Sequence, residues 1–214
     1  PHLGESFPEN SGLAQDWGTV LTGGQLVQWR RRAERKRRWW QLTLRLAKGL
    51  KRALDLFGAL LALLVFAPVF LLTALLIKGE DGGPILFVQT RVGEGGRPFG
   101  CLKFRSMVVN ADANKAGLET DNQHGSAGVT FKMKDDPRIT RVGKWIRKLS
   151  IDEFPQFVNV LRGDMSLVGP RPPVPKEVAL YRARELRRLR VKPGITCLWQ
   201  IGGRAEIDFA GQVR

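Results

Sequence analysis

Cysteine and histidine are scarce in this chain, with two of each among 214 residues. Cys101 and Cys197 lie far apart without a Cys-x-x-Cys spacing, which excludes a disulfide framework and suits a reducing compartment. His2 and His124 are too scattered for a His-based metal site, and His124 stands in a Gly/Ser/Asn stretch where a solvated role is expected. There is no Walker loop, no GxGxxG fingerprint and no internal repeat. Acids are outnumbered as well, 20 Asp and Glu against 35 Lys and Arg, for a formal charge of +15. Acid–base or metal chemistry therefore falls mainly to a small set of carboxylates. The first residue is Pro, so a fragment or processed chain is expected, with no signal peptide visible at this start.

Uncharged residues are concentrated in one place. Residues 56–77, dominated by Leu, Ala, Val and Phe, carry no charge, and a straight helix of about 22 residues covers roughly 33 Å, enough for the hydrocarbon core of a bilayer. Pro68 falls near the middle, where it removes a backbone hydrogen bond and kinks the helix at a cost of about 3 kcal/mol unless neighbours compensate. Two architectures follow: a kinked span, or a helix that enters the membrane, turns at Ala67 and Pro68 and leaves on the same side. Helix physics alone favours the span.

Most of the positive charge lies immediately before this segment. Residues 30–52 hold eleven Lys or Arg and a single acid, Glu34. The positive-inside rule puts this flank in the cytoplasm, and each basic residue near anionic headgroups adds about 1 kcal/mol. Within residues 26–52, Trp29, Trp39, Trp40, Leu42, Leu44 and Leu46 mix with the basic residues as in an interfacial amphipathic helix, although an ordinary basic surface helix has the same pattern. A nucleic-acid tail is the weaker reading, given the neighbouring apolar run. Residues 1–25, rich in Gly, Ser, Pro and Asn, read as a flexible leader.

Residues 149–172, LSIDEFPQFVNVLRGDMSLVGPRP, carry the chemistry. Asp152 and Glu153 are adjacent at an expected helix start, with Arg147 and Arg171 close in sequence. Acids at a helix start with arginines nearby suit metal-assisted work on a phosphate. The same residues also fit plain capping: Ser150 with Glu153 as a capping box, or Asp152 as N-cap with Pro155 inside the first turn. On spacing alone capping is the commoner explanation. Asp164 reads equally as a third metal-site acid or as a turn residue after Gly163. Elsewhere, residues 85–92 and 98–107 are expected to form a β-hairpin around Gly93–Gly96. Asp135-Asp136-Pro137 is a turn signal and residues 110–130 a helix start followed by a loop. Residues 141–149 and 155–161 are expected helices, 170–175 extended, 177–191 a basic helix, and 194–203 a short strand and turn.

Seven motifs in order across residues 51–214 resemble the bacterial sugar transferases that act as monotopic polyprenyl-phosphate phosphoglycosyl transferases. They are KRALD at 51–55, the proline-broken apolar helix, KFRSM at 103–107, DPRIT at 136–140, SIDEFPQ at 150–156, GDMSLVGPRP at 163–172 and KPGIT at 192–196. The resemblance reverses the preference for capping. It implies an α+β chain: a re-entrant membrane helix hairpin over residues 53–78, broken at Ala67 and Pro68, followed over 79–214 by a small, mainly helical cytoplasmic catalytic domain with a β-hairpin. It implies transfer of a sugar-1-phosphate from a UDP-sugar to a polyprenol phosphate such as undecaprenyl phosphate at the bacterial inner membrane, with release of UMP. Asp152 would be the nucleophile, Glu153 would help hold Mg²⁺, with Mn²⁺ able to substitute, and a covalent aspartyl sugar-phosphate would form. A carboxylate at a helix N-terminus would be held ionised by the helix dipole and the metal. Arg147 and Arg171 match positions near the phosphates; Lys103 and Arg105 would either bind phosphate or form structural ion pairs. Expected partners are the UDP-sugar, the polyprenol phosphate and an anionic membrane, without nucleic acid, and homo-oligomerisation is left open. A non-catalytic membrane scaffold is the competing class. Ala67 stands where relatives often have Ser before the proline, the chain ends at Arg214 where they commonly continue with a Trp-containing tail, and LWQIGGR at 198–204 resembles the branch using UDP-hexoses.

Overall fold

The computed structural model describes residues 23–111 and 136–197. It resolves two compact units, Pro1–Lys51 and Arg52–Arg214. In the first, the described residues are helical, with Trp29, Trp39 and Trp40 and the surrounding arginines all exposed. The helix is α1, Gly23–Val65, so the basic stretch and the first half of the apolar stretch form one element. Helix α2 is Ala67–Asp81. The break falls at Phe66, just ahead of the proline. The Phe66 amide still bonds the Ala62 carbonyl at 2.9 Å and its carbonyl receives the Phe70 amide at 2.9 Å. Pro68 thus lies in the first turn of α2, where its missing N–H has no intrahelical partner to lose. The two helices are bent by 60°.

Among the described residues no single helix is long and apolar enough to cross a membrane, whereas the bent pair is, by length and composition. One side of the pair packs inward through Asp55, Ala59, Thr73 and Ile77. The other side leaves Phe57, Leu60, Leu64, Leu71, Leu72 and Leu75 open, Leu64 to 73%. An exposed apolar face on both arms far exceeds the scattered apolar residues of an ordinary soluble surface.

The inward side is fastened by polar contacts unusual for so apolar a helix. The Asp55 carboxylate, 4% exposed, accepts from Ser166 Oγ at 2.9 Å and from the Leu167 amide at 3.1 Å. One turn earlier, Arg52 donates to the carbonyls of Val160 at 2.7 Å and Leu161 at 3.0 Å, groups in the last turn of a helix, where cations are favoured.

After Gly82, whose φ of 69° ends α2, the expected hairpin forms. Strand β1 is Leu86–Val92 and β2 is Pro98–Phe104, antiparallel, with Leu86 opposite Phe104 and Val92 opposite Pro98. The turn over Glu94–Gly96 needs the left-handed glycines Gly95 and Gly96. Strand β2 stops short of the expected residue 107; Met107 instead bridges Ile139. Helix α3, Arg141–Lys148, is capped by Thr140, whose hydroxyl accepts from the Gly143 amide. It lies so close to the exit of β2 that a Cβ on Gly143 would stand 2.0 Å from the Ser106 carbonyl oxygen. Helix α4 is Gln156–Arg162. Strand β3, Ser166–Val168, pairs in parallel with β4, Gly194–Thr196. The sequence signalled β4 but not β3, which hides inside the Gly-Asp-Met-Ser-Leu-Val motif.

The basic helix expected at 177–191 is not formed. One helical turn, α5 at Pro175–Val178, and a 3₁₀ turn at Glu185–Arg190 replace it. Arg184, Arg187 and Arg188 would stack like charges three and four residues apart, and Leu180 and Leu186, at 60% and 45% exposed, bury too little to offset that. The residues expected as a helix start and loop at 110–130 lie almost wholly outside the described residues, as do 198–203.

Two apolar clusters hold the second unit together. Ala59, Cys101, Val160 and Met165 form one; Ile77, Phe104 and Ile146 form the other, with Phe70, Ile151 and Phe154 packed against it. The expected turn at Asp136 is present, with the Ile139 amide on the Asp136 carbonyl. Its carboxylate is buried and accepts from Arg138 Nε at 2.8 Å and Nη2 at 2.6 Å. Arg138 first, then its backbone amide, holds the Asp136 carboxyl below the ordinary 3.8. Because the folded pKa is depressed, this pair stabilises the fold above the unfolded pKa and the contribution vanishes as pH falls through the folded one. Asp136→Asn should therefore lower stability by roughly 3 kcal/mol at neutral pH and flatten the loss of stability below about pH 4. Thermal unfolding in detergent across that range measures both; an unaltered acid slope would contradict the assignment.

Candidate active site

The carboxylate pair sits on neither expected cap. Ser150 is left-handed, φ 58°, and its side chain makes no capping bond. Asp152 and Glu153 lie in a 3₁₀ turn, Ile151–Glu153, and α4 begins only after Pro155. Both capping registers therefore fail, and so does the expectation of a helix dipole acting on Asp152. The left-handed residue at 150 separates α3 from the 3₁₀ turn and keeps the two from running on as one helix.

Apolar residues on each side of the pair fix this turn. Ile151 packs into the cluster of Ile77, Phe104 and Ile146. Phe154 lies 4.9 Å from Phe66 at the helix break and 6.0 Å from Phe70, ring centre to ring centre. The break in the apolar helix and the carboxylate turn are thus in direct contact through aromatic rings.

Facing the carboxylates is Lys103 of β2. Its ammonium donates to Glu153 Oε1 at 2.9 Å and lies 3.9 Å from Asp152 Oδ2. The side chains are partly shielded, at 21% exposure for Lys103, 15% for Asp152 and 32% for Glu153. The register that brings them together is set by Asn159 of α4, fully buried. Its Oδ1 accepts from the Leu102 amide at 2.9 Å and its Nδ2 donates to the Gly100 carbonyl at 2.8 Å.

Burial pushes the Asp152 carboxyl above the ordinary value; Lys103 pulls it back down, Glu153 raises it further and Arg147 opposes. Lys103 and Arg147, not a helix end, oppose the upward pull of burial on Asp152. Arg147, in the last turn of α3, acts on Asp152 and on Asp136 through space. Arg171, on the extended segment after Gly169, is an electrostatic neighbour of Arg91, Cys101 and Tyr181.

The remaining candidates lie elsewhere. Arg105 is engaged by both Asp81 oxygens and by the Pro84 carbonyl, where α2 hands over to β1; this is the structural ion pair, and Arg105 takes no part in the carboxylate cluster. Asp164 follows Gly163, φ 93°, and accepts from Asn159 Nδ2 at 3.2 Å, a turn role. Ala67 and Pro68 form the first turn of α2. Sequence reasoning passed over Arg91 and Asn159. Arg91 had one signal: with Gln89 it shares a face of a strand, an unusual place for a polar pair. Asn159 had none, because a polar residue in an amphipathic helix reads as solvent-facing.

Among the described residues no group of three or more His, Cys, Asp or Glu could hold a metal ion. Asp152 and Glu153 make a half-site, two carboxylates that share one lysine. Such a pair fits Mg²⁺, which commonly takes one or two carboxylates together with phosphate oxygens and water.

Comparison with known proteins identifies the family. The family model for bacterial sugar transferases matches residues 46–214. The galactosyl transferase CpsE of Streptococcus agalactiae is 54% identical over 160 residues, 74% of this chain and 35% of the relative. The exopolysaccharide production protein ExoY of Sinorhizobium fredii is 45% identical over 165 residues, 76% of this chain and 73% of the relative. The undecaprenyl-phosphate galactose phosphotransferase of Salmonella typhimurium is 42% identical over 174 residues, 80% of this chain and 36% of the relative. The chain therefore spans about a third of the length of two of these relatives and nearly three quarters of the third. With a family model covering more than half of its residues, the chain belongs to the bacterial sugar transferase family.

Proposed function

We propose that this protein transfers a sugar-1-phosphate from a UDP-sugar to undecaprenyl phosphate at the cytoplasmic face of the bacterial inner membrane, the first membrane step of an exopolysaccharide, capsule or O-antigen. The observation that carries this reading is the contact between the two features such a reaction needs, an apolar helix pair and an acid turn, through Phe66 and Phe154. The acceptor phosphate is anchored in lipid, so the acid that serves it must lie close to the membrane segment. A soluble phosphotransferase has no such requirement.

In this reading Asp152 Oδ attacks the phosphorus bearing the sugar. An O–P bond to the carboxylate forms, the bond to the UMP oxygen breaks, and UMP leaves with the electron pair. A phosphate oxygen of the lipid then attacks the same phosphorus, forming the lipid diphosphate and returning the carboxylate. Lys103 and Arg147 keep Asp152 ionised in its buried position and relieve the repulsion between two anions. Asp152 and Glu153 would hold Mg²⁺, which would neutralise charge on the departing nucleotide. Relatives' names include transferases of galactose, glucose and N-acetylgalactosamine phosphate, and the donor here belongs to that UDP-hexose class.

The helix pair is read as re-entrant. Both arms pack on the same catalytic unit through their inner residues, leaving a continuous apolar outer face. A straight span would separate the arms' inner residues across the bilayer and put Asp55, just before the apolar run, on the opposite side from its partners Ser166 and Leu167.

Purified enzyme with UDP-sugar and Mg²⁺ but no lipid acceptor should release about one UMP per active site and carry a sugar-phosphate on Asp152, with ping-pong kinetics once lipid is added. Asp152→Asn abolishes the burst, and Lys103→Met lowers kcat/KM by about a hundredfold. An adduct on Glu153, or sequential kinetics without any adduct, would overturn the mechanism. Chelation by EDTA should abolish turnover and Mg²⁺ or Mn²⁺ restore it; full activity in metal-free buffer removes the metal role of Asp152 and Glu153. For topology, a cysteine at the exposed hairpin tip, Arg97→Cys, should react with an impermeant thiol reagent from the inside only. Adding Pro68→Leu restores a continuous apolar helix and should expose part of the population from outside. Labelling from outside in the parent protein would establish a span.

A further inference from the structure

Arg91 is an oddity the catalytic reading does not use. The residue is only 7% exposed, yet among the described residues no carboxylate lies within ion-pair distance of it. Nε and Nη2 both donate to Gln89 Oε1, at 3.0 and 2.7 Å, and Nη1 donates to the Pro172 carbonyl at 2.9 Å. The next residue's amide, Val92 N, donates to the Pro173 carbonyl at 2.9 Å. Strand β1 thus holds the segment carrying Arg171 by two bonds on consecutive carbonyls.

A buried cation without a counterion is expensive to fold unless something anionic compensates it. Here burial first, and then Arg171, pulls the Arg91 pKa below the usual guanidinium value, while Cys101, Glu177 and Glu153 act in the other direction. The same charge reaches Cys101 together with those of Lys103 and Arg171. Arg91, Lys103 and Arg171 thus act electrostatically on one region of the structure, with Glu153 among the charges that oppose them.

We infer that Arg91 is the positioning residue of the donor site: its guanidinium, fixed by Gln89, grips the Pro172 carbonyl so that the segment carrying Arg171 is set for the diphosphate of the nucleotide sugar. The inference rests on the proposed donor. Arg91 itself touches no reacting atom and works through Arg171.

This differs from a bracing role in two measurable ways. A brace removed destabilises the free protein and leaves the affinity of whatever still folds unchanged. A positioning cation removed weakens anion binding, and its effect disappears once Arg171 is gone. Binding of UDP, and separately of pyrophosphate, should be measured by calorimetry on detergent-solubilised full-length protein with Mg²⁺, for wild type, Arg91→Met, Arg91→Lys, Arg171→Met and the double variant Arg91→Met/Arg171→Met. Arg91→Met should weaken UDP binding about thirtyfold, and Arg91→Lys, which keeps the charge but cannot bridge Gln89 and Pro172, about fivefold. The double variant should bind within about twofold of Arg171→Met alone. In turnover, the KM for the donor should rise in Arg91→Lys while the KM for the lipid stays fixed.

Additive losses in the double variant would overturn the inference, as would a folded Arg91→Lys with wild-type UDP affinity. If Arg91→Met does not fold, Arg91→Lys against Arg171→Met and their double variant give the same cycle. Wild type that binds pyrophosphate but not UDP overturns the proposed donor and leaves Arg91's role standing on the pyrophosphate cycle. Wild type that binds neither overturns both.

Discussion

The side-chain amide of Asn159 is the constraint on which the rest of the catalytic unit depends. It is fully enclosed, and in that position each unmet donor or acceptor would cost about 1–3 kcal/mol. It meets them by copying a strand edge, accepting from Leu102 and donating to Gly100, so α4 pairs with β2 as if it were a neighbouring strand. Its own carbonyl then collects the amides of Gly163 and Asp164, closing the helix and launching the chain towards β3. One residue thereby fixes how far α4 slides along β2. Because Lys103 follows Leu102 and the acid turn precedes α4, that sliding distance is also the distance between lysine and carboxylates. A shift of one strand residue would turn Lys103 to the opposite face.

The apolar helix shows the same economy. Its bulk is featureless Leu and Ala, which pack equally well in many rotations about the axis. The polar exceptions, Arg52 and Asp55, remove that freedom by bonding to the end of α4 and to β3. Gly58 allows the close approach, since a Cβ there would meet Leu167 at 2.6 Å. Specific polar contacts choose one rotation and apolar area supplies the adhesion.

The sequence was informative wherever local chemistry decided the outcome. The glycine turn of the hairpin and the proline break depend on residues within a few positions of each other, and they formed as expected. It misled where distant partners decide. Ser150 and Glu153 have the spacing of a capping box, but the packing of Ile151 and Phe154 into two different helices' side chains imposes a 3₁₀ turn instead. Strand β3 exists only because β4 arrives beside it, with Gly169 and Gly194 so close that a Cβ on Gly194 would stand 2.1 Å from the Gly169 nitrogen. Of the site, the carboxylates and Lys103 stood out through motifs, whereas Arg91 and Asn159 act through backbone carbonyls and amides that a string of letters does not display. Arg105 looked like Lys103 in sequence and differs only because α2 ends with Asp81 in front of it.

Ser150 has a further consequence, in how the molecule opens. A single left-handed residue between α3 and the acid turn interrupts the helical hydrogen-bond ladder, so neither helix propagates fraying to the other. Amide exchange in α3 and in α4 is then expected as separate opening events. The acids stand at the seam between two helices whose hydrogen-bond ladders are separate, so a local loosening at the proposed site would require neither helix to unwind.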